Sequence, residues 1–309
     1  MELKTAHIIG LMSGTSLDGI DLVYVKFDRS SYKDFKIIKA TTVPYSSDWK
    51  DTLQNAISLS NEKLAILDQE YGFLLAETIN NFIAENKLKE IDFIASHGHT
   101  VFHKPALGVT LQIGNGQVIA SETNQKVVCD FRTQDVDLGG QGAPLVPIGD
   151  ELLFQSYDSC LNLGGFANIS FKENDERIAF DICPVNIVLN YYVNALGLAY
   201  DDEGKMAAEG IVNLGLLSEL NALYFYKMNN PKSLGLEWVQ SEIFPLIAKY
   251  DLEISSILRT FVAHIAVQIA SCLVGKKNVL ISGGGVYNRF LISSIQQLSE
   301  AEIIVPNTH

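Results

Sequence analysis

The residues best placed to do chemistry lie in one glycine-rich segment near the start of the chain. Residues 9–21 read IGLMSGTSLDGID and contain three glycines, three hydroxyl side chains and two carboxylates. The flanking apolar residues alternate as strands do, which predicts a β-hairpin. Backbone N–H groups of a glycine turn can face an anion, and carboxylates could hold Mg²⁺ against it. The segment therefore predicts a phosphate-binding hairpin, with an ordinary polar glycine turn as the alternative.

A second and a third glycine turn follow in the other half of the chain. Residues 160–171 again read strand, Gly-Gly, strand, and a third strand over 177–181 completes that unit. The turn at 282–288 follows a strand and opens a helix, so its backbone could approach a flat ring or a ribose. The predicted nucleotide contacts are Gly14, Thr15, Ser16, Leu17, Asp18, Gly19, Asp21, Asn162, Gly164, Gly165, Asn168, Gly283, Gly284, Gly285 and Asn288, with Asp18 as the Mg²⁺ ligand.

The elements that must position these turns follow a mixed α/β pattern. We predict two domains, residues 1–138 and 139–309. The predicted strands are 6–12, 20–28, 35–43, 91–95 (ending at Ser96-His97-Gly98), two or three within 109–130, 160–163, 166–171, 177–181, 278–282 and 303–305. The predicted helices are 64–83, one that runs from the loop 139–144 to about 154, 185–196, 213–228, 253–274 and one from about 287.

Composition narrows the class of protein. The chain is 47% hydrophobic and 19% charged, as soluble globular proteins are. A net charge of -13 without a basic stripe argues against nucleic acid as a partner. The four cysteines are scattered, the start lacks a signal-peptide core, and the apolar run 261–274 is too short to cross a bilayer. We therefore expect a cytoplasmic protein with no membrane partner.

Several phosphate-binding classes are not supported by the sequence. The chain has no Walker A run and no Gly-x-Gly-x-x-Gly that opens a helix after the first strand. Instead, the phosphate turns lie between antiparallel strands, once in each half. Three glycine turns in this order resemble the phosphate and adenosine elements of the actin, sugar kinase and Hsp70 superfamily.

Within that superfamily, a closer resemblance covers essentially the whole chain. The runs that resemble the signature of the anhydro-N-acetylmuramic acid kinases are 10–21, 96–103, 112–114, 130–132, 139–147, 162–168 and 282–285. The resemblance implies an α/β, two-lobed actin-like fold with a central cleft and mixed sheets flanked by helices. It implies an enzyme that uses ATP and Mg²⁺ to open the 1,6-anhydro ring of this amino sugar and to phosphorylate O6, in cell-wall sugar recycling.

The resemblance also assigns roles to residues. Asp181 matches the catalytic aspartate, and a carboxylate at that place would act as general base toward water at the anomeric carbon. A capping aspartate at a strand end is the alternative. Arg132 could grip the lactyl carboxylate of muramic acid through two hydrogen bonds, whereas a structural ion pair is its alternative. The predicted substrate-binding residues are His97, Gln112, Asp130, Arg132, Asn186 and Lys232.

Two further patterns leave alternatives open. His97, His99 and His103 could bind zinc, but substrate hydrogen bonding or packing is favoured because no carboxylate or cysteine stands beside them. The loop Asp201–Gly204 could line the substrate rim or could be a solvated acidic patch.

The chain also departs from the family pattern. Residues 180–186 lack one hydroxyl and two glycines of the family run, and 231–237 lack a threonine and an arginine beside Lys232. Relatives continue past Asn307-Thr308-His309 into a helix with a further carboxylate, so the C-terminal helix is expected to be missing. The alternatives are therefore an ATPase or phosphohydrolase of the same superfamily, or a nucleotide-binding homologue with lost or reduced turnover. A homodimer also stays open.

Overall fold

The first glycine-rich segment lies on the hairpin with which the structure begins. The computed structural model describes residues 5–14, 17–104, 107–230 and 232–306. The chain divides into two compact units, one ending at Leu145 and the other beginning at Val146. This boundary lies a few residues after the predicted 138/139, so the glycine-rich loop 139–144 belongs to the first unit. The chain end at 307–309 lies outside the described residues.

The first unit is built on one mixed sheet. Its strands are β1 (Thr5–Ser13), β2 (Gly19–Asp28), β3 (Ser31–Pro44), β4 (Phe93–Lys104), β5 (Val109–Ile113) and β6 (Val127–Cys129). The strand order is β3-β2-β1-β4-β5, and β6 also pairs with β4. The strands β1, β2 and β3 form an antiparallel meander, as predicted, while β4 runs parallel to β1.

Helices pack their apolar faces on this sheet. They are α1 (Ser47–Asn55), α2 (Asn61–Asn86), α3 (Gly116–Thr123) and α4 (Thr133–Asp137). The helical spacing that predicted α2 is the spacing of its buried residues Leu64, Leu67, Tyr71, Leu75 and Ile79. These side chains form one core with Ile9, Leu11, Ile20 and Leu22 of β1 and β2.

One prediction for the first unit is wrong and another is incomplete. The strand β4 does not end at Ser96–Gly98 but continues to Lys104. It changes partner there: β6 pairs with it up to Ser96 and β5 from His99 onward, while β1 pairs with it at Ser96 and again at His99. Gly98 permits the change because its φ is 70° and a Cβ would lie 2.4 Å from the Ile113 carbonyl oxygen. The segment 109–130 contains two of the predicted short strands, β5 and β6, but also α3, which the Asn115 side chain caps.

The second unit repeats the plan of the first. Its strands are β7 (Ser159–Leu163), β8 (Phe166–Glu173), β9 (Glu176–Pro184), β10 (Asn278–Ser282) and β11 (Glu302–Ile304), in the order β11-β10-β7-β8-β9. An antiparallel meander β7-β8-β9 again has a parallel neighbour, β10, beside its first strand. The structural echo between the halves that the sequence predicts is therefore confirmed.

The helices of this unit enclose its core. They are α5 (Val146–Leu153), α6 (Asn186–Asn194), α7 (Lys205–Glu209), α8 (Leu214–Ala222), α9 (Leu236–Trp238), α10 (Phe244–Ile247), α11 (Ile254–Cys272) and α12 (Arg289–Leu298), with a π-helical segment at Val239–Ile243. The apolar core joins β7, β8 and β9 to α11, whose buried residues include Leu258, Phe261, Val262 and Ile265.

The helix α11 corrects one expectation about apolar length. It begins at Ile254, before the apolar run 261–274. Among the described residues, this is the helix that is long and apolar enough to cross a membrane. Half of that stretch is buried inside the protein. The expectation that this apolar segment is too short to cross a bilayer is therefore not supported by the length of the helix. Its packing is that of a core helix.

Candidate active site

The first glycine turn joins β1 to β2, as predicted. The Leu17 N–H donates to the Gly14 carbonyl oxygen at 3.3 Å. Leu17 has a φ of 57°, an unusual value for a branched side chain, and its side chain packs on the core of the first unit. Thr15 and Ser16 lie outside the described residues. The turn is therefore anchored through Leu17, and the carboxylate of Asp18 is left exposed.

Two residues predicted to bind the cofactor make contacts within the sheet. A Cβ on Gly19 would lie 2.4 Å from the Val43 carbonyl oxygen, so this glycine lets β3 pack closely against the hairpin. Asp21 accepts a hydrogen bond from the Thr42 hydroxyl at 2.5 Å. It also lines an open groove of about 690 Å³ on the sheet, which Met12 and Phe131 line as well. These contacts account for both residue types, and their role toward a nucleotide stays a prediction.

The donor set at the first turn fits magnesium. Mg²⁺ is usually held by one or two carboxylates together with substrate phosphate oxygens and water. Asp18 offers one exposed carboxylate at the predicted phosphate turn. Within the described residues no three His, Cys, Asp or Glu side chains gather at one point, so a metal held by three such side chains is not indicated there.

The three histidines of β4 point to different partners. His97 contacts Arg132, His99 contacts Ser13, and His103 contacts Thr110. The histidine spacing therefore does not bring the three rings to one point.

The second glycine turn, between β7 and β8, is tied to the start of α6. The Gly165 carbonyl oxygen accepts from the N–H groups of Val185 and Ile187, at 2.8 and 3.3 Å, and the Gly164 carbonyl oxygen accepts from Asn186 N–H at 3.3 Å. The Gly164 N–H closes the turn on Phe166. The exposed Gly165 N–H makes no backbone hydrogen bond to any described residue, so it is the turn amide free for an anion.

In the third glycine turn, the three glycines do different work. A Cβ on Gly283 would lie 2.7 Å from the Leu163 carbonyl oxygen, and a Cβ on Gly285 would lie 2.6 Å from the Leu163 Cβ. These two glycines therefore let the turn pack on the end of β7. Gly284 is exposed, and a Cβ there would meet no atom within 4 Å. Gly284 therefore leaves its backbone open to a ligand.

The acidic loop near residue 203 packs beside this third turn. A Cβ on Gly204 would lie 2.1 Å from the Asn288 side-chain oxygen, which also caps α12 through Leu291 N–H. Glu203 pairs with Arg289 at 3.3 Å, and Asp201 caps α7. The loop is thus a structural neighbour of the predicted adenosine turn, a role that neither alternative from the sequence describes.

Asp181 lies inside β9 and not at its end, because the strand continues to Pro184. It pairs with Asn168 of β8, and Ile182 is the extra residue of a β-bulge between them and the Cys183–Ala167 pair. The bulge lies within the changed run 180–186, and α6 begins at Asn186. Bulges often re-aim side chains next to active sites.

The environment of Asp181 suits a base. One carboxylate oxygen accepts the Leu234 N–H at 2.8 Å, and the other makes no hydrogen bond or ion pair with any described residue. Burial raises the pKa of this carboxyl, while the hydrogen bond from Leu234 acts in the opposite direction. A carboxylate with a raised pKa and one free oxygen can accept a proton from a bound water.

The backbone of Lys232 contacts Asp181, whereas its side chain contacts Phe225. Its carbonyl oxygen accepts the Asp181 N–H at 2.9 Å. Its ammonium group donates to the Phe225 carbonyl oxygen at 3.1 Å and lies 4.6 Å from the centre of the Phe225 ring. Burial lowers the pKa of Lys232. The structure therefore accounts for its charge without a substrate, and the predicted substrate contact stays a prediction.

His97 and Arg132, which the sequence places 35 residues apart, are in direct contact. The His97 Nδ1 lies 2.9 Å from the Gly98 carbonyl oxygen, which only accepts, so Nδ1 carries the proton. Nε2 then accepts from Arg132 Nε at 3.0 Å. Burial lowers the pKa of His97, the hydrogen bond to Gly98 opposes this, and the charge of Arg132 acts in the same direction as burial. His97 is therefore neutral and orients the guanidinium.

The remaining contacts of Arg132 leave its charge unpaired. Nη1 donates to the Gly142 carbonyl oxygen at 2.7 Å. Among the described residues no carboxylate forms an ion pair with this guanidinium, so the alternative of a structural ion pair is not what the chain forms. A partly buried arginine with a free Nη2 and no counter-ion is suited to a ligand carboxylate.

Asp130 and Gln112 have local partners. Asp130 has a φ of 58° and accepts from the Thr133 hydroxyl at 2.6 Å, so it starts α4 and presents Arg132. Gln112 donates to Thr110 at 2.9 Å, and its side-chain oxygen is buried without a partner. Neither contact involves the other predicted substrate residues.

Sequence reasoning missed the residues that support these groups. Asp68 of α2 binds the Gly114 N–H and the Asn115 side chain, both at 2.8 Å, and so fixes the loop after Gln112. Asp135 binds the Gly142 N–H at 2.6 Å and shapes the loop that contacts Arg132. Both lie in ordinary helical stretches, where no spacing or residue type marks them.

Comparison with known proteins decides the family. The family model described as anhydro-N-acetylmuramic acid kinase matches residues 6–308. The chain belongs to the anhydro-N-acetylmuramic acid kinase family.

Relatives that carry this name are similar over most of their length. The protein from Pseudomonas savastanoi pv. phaseolicola is 34% identical over 307 residues, and the protein from Bacillus cereus strain Q1 is 36% identical over 318 residues. Each alignment covers 94% of this chain and 83% of the relative.

A solved structure shows the fold. The (R)-2-hydroxyglutaryl-CoA dehydratase component A from Acidaminococcus fermentans has a TM-score of 0.51 at 12% identity, covering 97% of this chain and 92% of that one. At this identity the likeness is one of fold alone. The predicted α/β class, with mixed sheets flanked by helices, is confirmed.

Proposed function

We propose that this protein is an ATP-dependent anhydro-N-acetylmuramic acid kinase, a phosphotransferase with a sugar alcohol as acceptor. Membership of the family and the name of its relatives support the reaction. The observation within the structure that carries it is Asp181, a half-buried carboxylate with a raised pKa, one anchored oxygen and one free oxygen. That arrangement is what a general base toward water requires.

The reaction proceeds as a balanced exchange of bonds. A water molecule attacks C1 of the anhydro-sugar and gives its proton to the free oxygen of Asp181. The C1–O6 bond breaks, and the electron pair left on O6 forms the new bond to the γ-phosphorus of ATP. The bond between that phosphorus and the β–γ bridging oxygen breaks, and ADP leaves with the electron pair.

The nucleotide is assigned to the three glycine turns. Gly14 to Asp21 and Asn162 to Asn168 supply the phosphate contacts, and the free N–H of Gly165 supports this assignment. The turn Gly283–Asn288 contacts the nucleoside, with the open backbone at Gly284 as support. Asp18 would ligate Mg²⁺, which when bound neutralises charge on the phosphates.

The sugar is assigned to the first unit's Arg132 and its neighbours. The unpaired guanidinium, oriented by neutral His97, would hold the lactyl carboxylate of the substrate. Gln112, Asp130, Asn186 and Lys232 complete the proposed substrate contacts. We further propose a cytoplasmic enzyme of cell-wall sugar recycling, with no nucleic acid or membrane partner and with a homodimer left open.

The test is a comparison of Asp181→Asn with Asp175→Asn. Asp175 is an exposed hairpin residue of the same unit with a φ of 65°, which asparagine tolerates, so it is the matched control. With ATP, Mg²⁺ and the anhydro-sugar, mass spectrometry should show phosphosugar formation lowered about 10²- to 10⁴-fold by Asp181→Asn alone. Calorimetry should give both variants the parent's affinity for ATP. Equal rates in all three proteins would remove Asp181 from the mechanism.

The same assay separates the alternatives. A simple ATPase would release ADP without the sugar and, in ¹⁸O-water, would put the label into inorganic phosphate. The proposed kinase releases ADP only with the sugar and leaves its phosphate ester unlabelled. A homologue that has lost turnover would bind ATP and form no phosphosugar.

A further inference from the structure

Four buried polar side chains meet beside the first glycine turn. Ser13 ends β1, Tyr45 follows β3, Tyr71 lies in α2 and His99 lies in β4. Their exposed fractions are 3%, 8%, 0% and 4%. We call these four residues the hydroxyl cluster. None of its three hydroxyl side chains takes part in the proposed chemical step.

The three hydroxyls of the cluster close a ring of hydrogen bonds. Ser13 Oγ lies 2.6 Å from Tyr45 OH and accepts from Tyr71 OH at 2.8 Å, and the two tyrosine oxygens are 2.5 Å apart. His99 Nδ1 lies 3.4 Å from Ser13 Oγ, and the His99 ring packs edge-on against the Tyr71 ring. Every hydroxyl of the ring is therefore satisfied by the other two.

A core at this place does not need hydroxyls for packing. Phenylalanine would fill the space of either tyrosine, and burying polar groups is costly unless each one is paired. The side chain that gains from the ring is Ser13, which directly precedes Gly14 of the glycine turn. The ring fixes the last residue of β1 from two other elements, α2 and the end of β3.

The hydroxyl cluster is also connected to the His97–Arg132 pair, to which the sugar is assigned. Ser13 pairs with His99 across the irregularity where β4 changes partner, and His97 lies within that irregularity. His97 orients Arg132. The register of β1 against β4 thus sets two positions together, the start of the phosphate turn and the histidine that holds the guanidinium.

We propose that Ser13, Tyr45, Tyr71 and His99 are positioning residues, which hold the phosphate turn and the His97–Arg132 pair in fixed register. The inference rests on the proposed function, because it assigns the turn to ATP and the pair to the sugar. Removing one tyrosine hydroxyl leaves the other paired with Ser13. Removing both leaves Ser13 with only the long contact to His99.

The experiment compares Tyr45→Phe, Tyr71→Phe and the double variant with Tyr24→Phe. Tyr24 is a buried tyrosine of the same sheet whose hydroxyl contacts His7 and the Glu90 carbonyl oxygen, far along β2 from the turn. We expect each cluster variant to lower kcat/KM for ATP about threefold, and the double variant to lower it by more than the product. KM for the sugar should rise in the same variants. Tyr24→Phe should change neither constant.

Hydrogen exchange in the protein without ligand makes the test independent of activity. The amides of Gly14 and Leu17–Gly19 should exchange faster in Tyr45→Phe and Tyr71→Phe, while in Tyr24→Phe they should exchange as in the parent. If the parent phosphorylates no sugar, the proposed function fails and the exchange rates still decide the positioning role. Exchange at the turn equal to that of Tyr24→Phe would overturn the proposal, whatever the loss of thermal stability. The single variants suffice if the double variant does not fold.

Discussion

At the scale of single residues, Arg132 shows what a sequence can and cannot indicate. Its residue type predicts a carboxylate partner, but the type alone cannot say whether that partner is a structural aspartate or a ligand. The structure supplies His97 and Gly142 as partners and leaves the charge without a described counter-ion. These contacts join residues of β4, the loop after β6 and the loop 139–144, which no local pattern connects.

Replacing this arginine should affect only substrates that carry a carboxylate. In Arg132→Gln, kcat/KM for anhydro-N-acetylmuramic acid should fall about 10- to 100-fold, since a charge-assisted hydrogen bond contributes about 1.5–3 kcal/mol. The corresponding anhydro-N-acetylglucosamine lacks the lactyl carboxylate, so any turnover of it should change little. Steady-state kinetics with both sugars checks this.

The matched control for that prediction is Arg29→Gln. Arg29 is half exposed and pairs with Asp92 at 3.1 Å, so it has its own counter-ion within the protein. Equal losses for both sugars in Arg132→Gln would mean that the guanidinium supports the site through His97 and not through the substrate.

Other single residues were predicted by type but have structural partners. Gly19 makes room for the Val43 carbonyl, Asp130 caps the start of α4, and the Lys232 ammonium lies on Phe225. A glycine, an aspartate or a lysine near a motif is thus compatible with a site and with a fold requirement at once. Only the distances to neighbours separate the two.

At the scale of elements, some glycines of the third turn pack against β7, while another leaves its backbone accessible to a ligand. Gly283 and Gly285 touch Leu163 of β7, whereas Gly284 faces open space. The sequence shows three equal glycines, and their difference arises from the parallel pairing of β10 with β7. Because this pairing joins residues more than a hundred positions apart, no local rule could have predicted it.

A pair of alanine substitutions one residue apart tests this division. Gly285→Ala should lower the free energy of unfolding by about 1–3 kcal/mol, because its Cβ would lie 2.6 Å from the Leu163 Cβ and the core must shift. Gly284→Ala should leave stability nearly unchanged and should weaken ATP binding. Urea unfolding and calorimetry measure the two effects. Loss of stability in Gly284→Ala, or none in Gly285→Ala, would contradict the assignment.

The elements themselves were predicted well where periodicity is strong. The helix α2 and the two meanders follow from the spacing of their apolar residues, 3.6 for the helix and 2 for the strands. The misjudged places include the continuation of β4 past Gly98, the extension of β9 past Asp181, and the helices α1, α3 and α7, which the sequence did not predict. In the two strands a bulge or a change of partner breaks the regular pattern, and in α3 the eight residues are too few for a helical period to show.

At the scale of the whole molecule, each unit has its own sheet, its own core and its own glycine hairpin. The repeated topology follows from the sequence because each half contains the same order of strand, glycine turn, strand and strand. The change of stability at acid pH cannot be predicted from the sequence in this way, because it depends on which histidines become buried. His264 interrupts an apolar run in the sequence, and in the structure it is fully buried in α11.

Buried neutral His264 should make the protein less stable in acid. Its Nδ1 lies 2.6 Å from the Asn221 side-chain oxygen and its Nε2 lies 2.9 Å from Tyr226 OH, and burial lowers its pKa to about 3. In the unfolded chain the ring protonates near about pH 6.5. Between these values the unfolded state binds one more proton, so the free energy of unfolding falls as pH falls. This residue should account for about 2 kcal/mol between about pH 6.5 and about pH 4.5.

Urea unfolding of the parent and of His264→Gln across this pH range measures the effect. Glutamine can accept from Tyr226, while Asn221 keeps its hydrogen bond from Gln268, so neither partner of His264 is left unpaired. In the variant, the free energy of unfolding should fall less between about pH 6.5 and about pH 4.5, by the amount that His264 contributes. His103→Gln, at an exposed ring, should retain most of it because burial lowers the pKa of His103 less. An unchanged slope in His264→Gln would show that other groups bind the extra protons on unfolding.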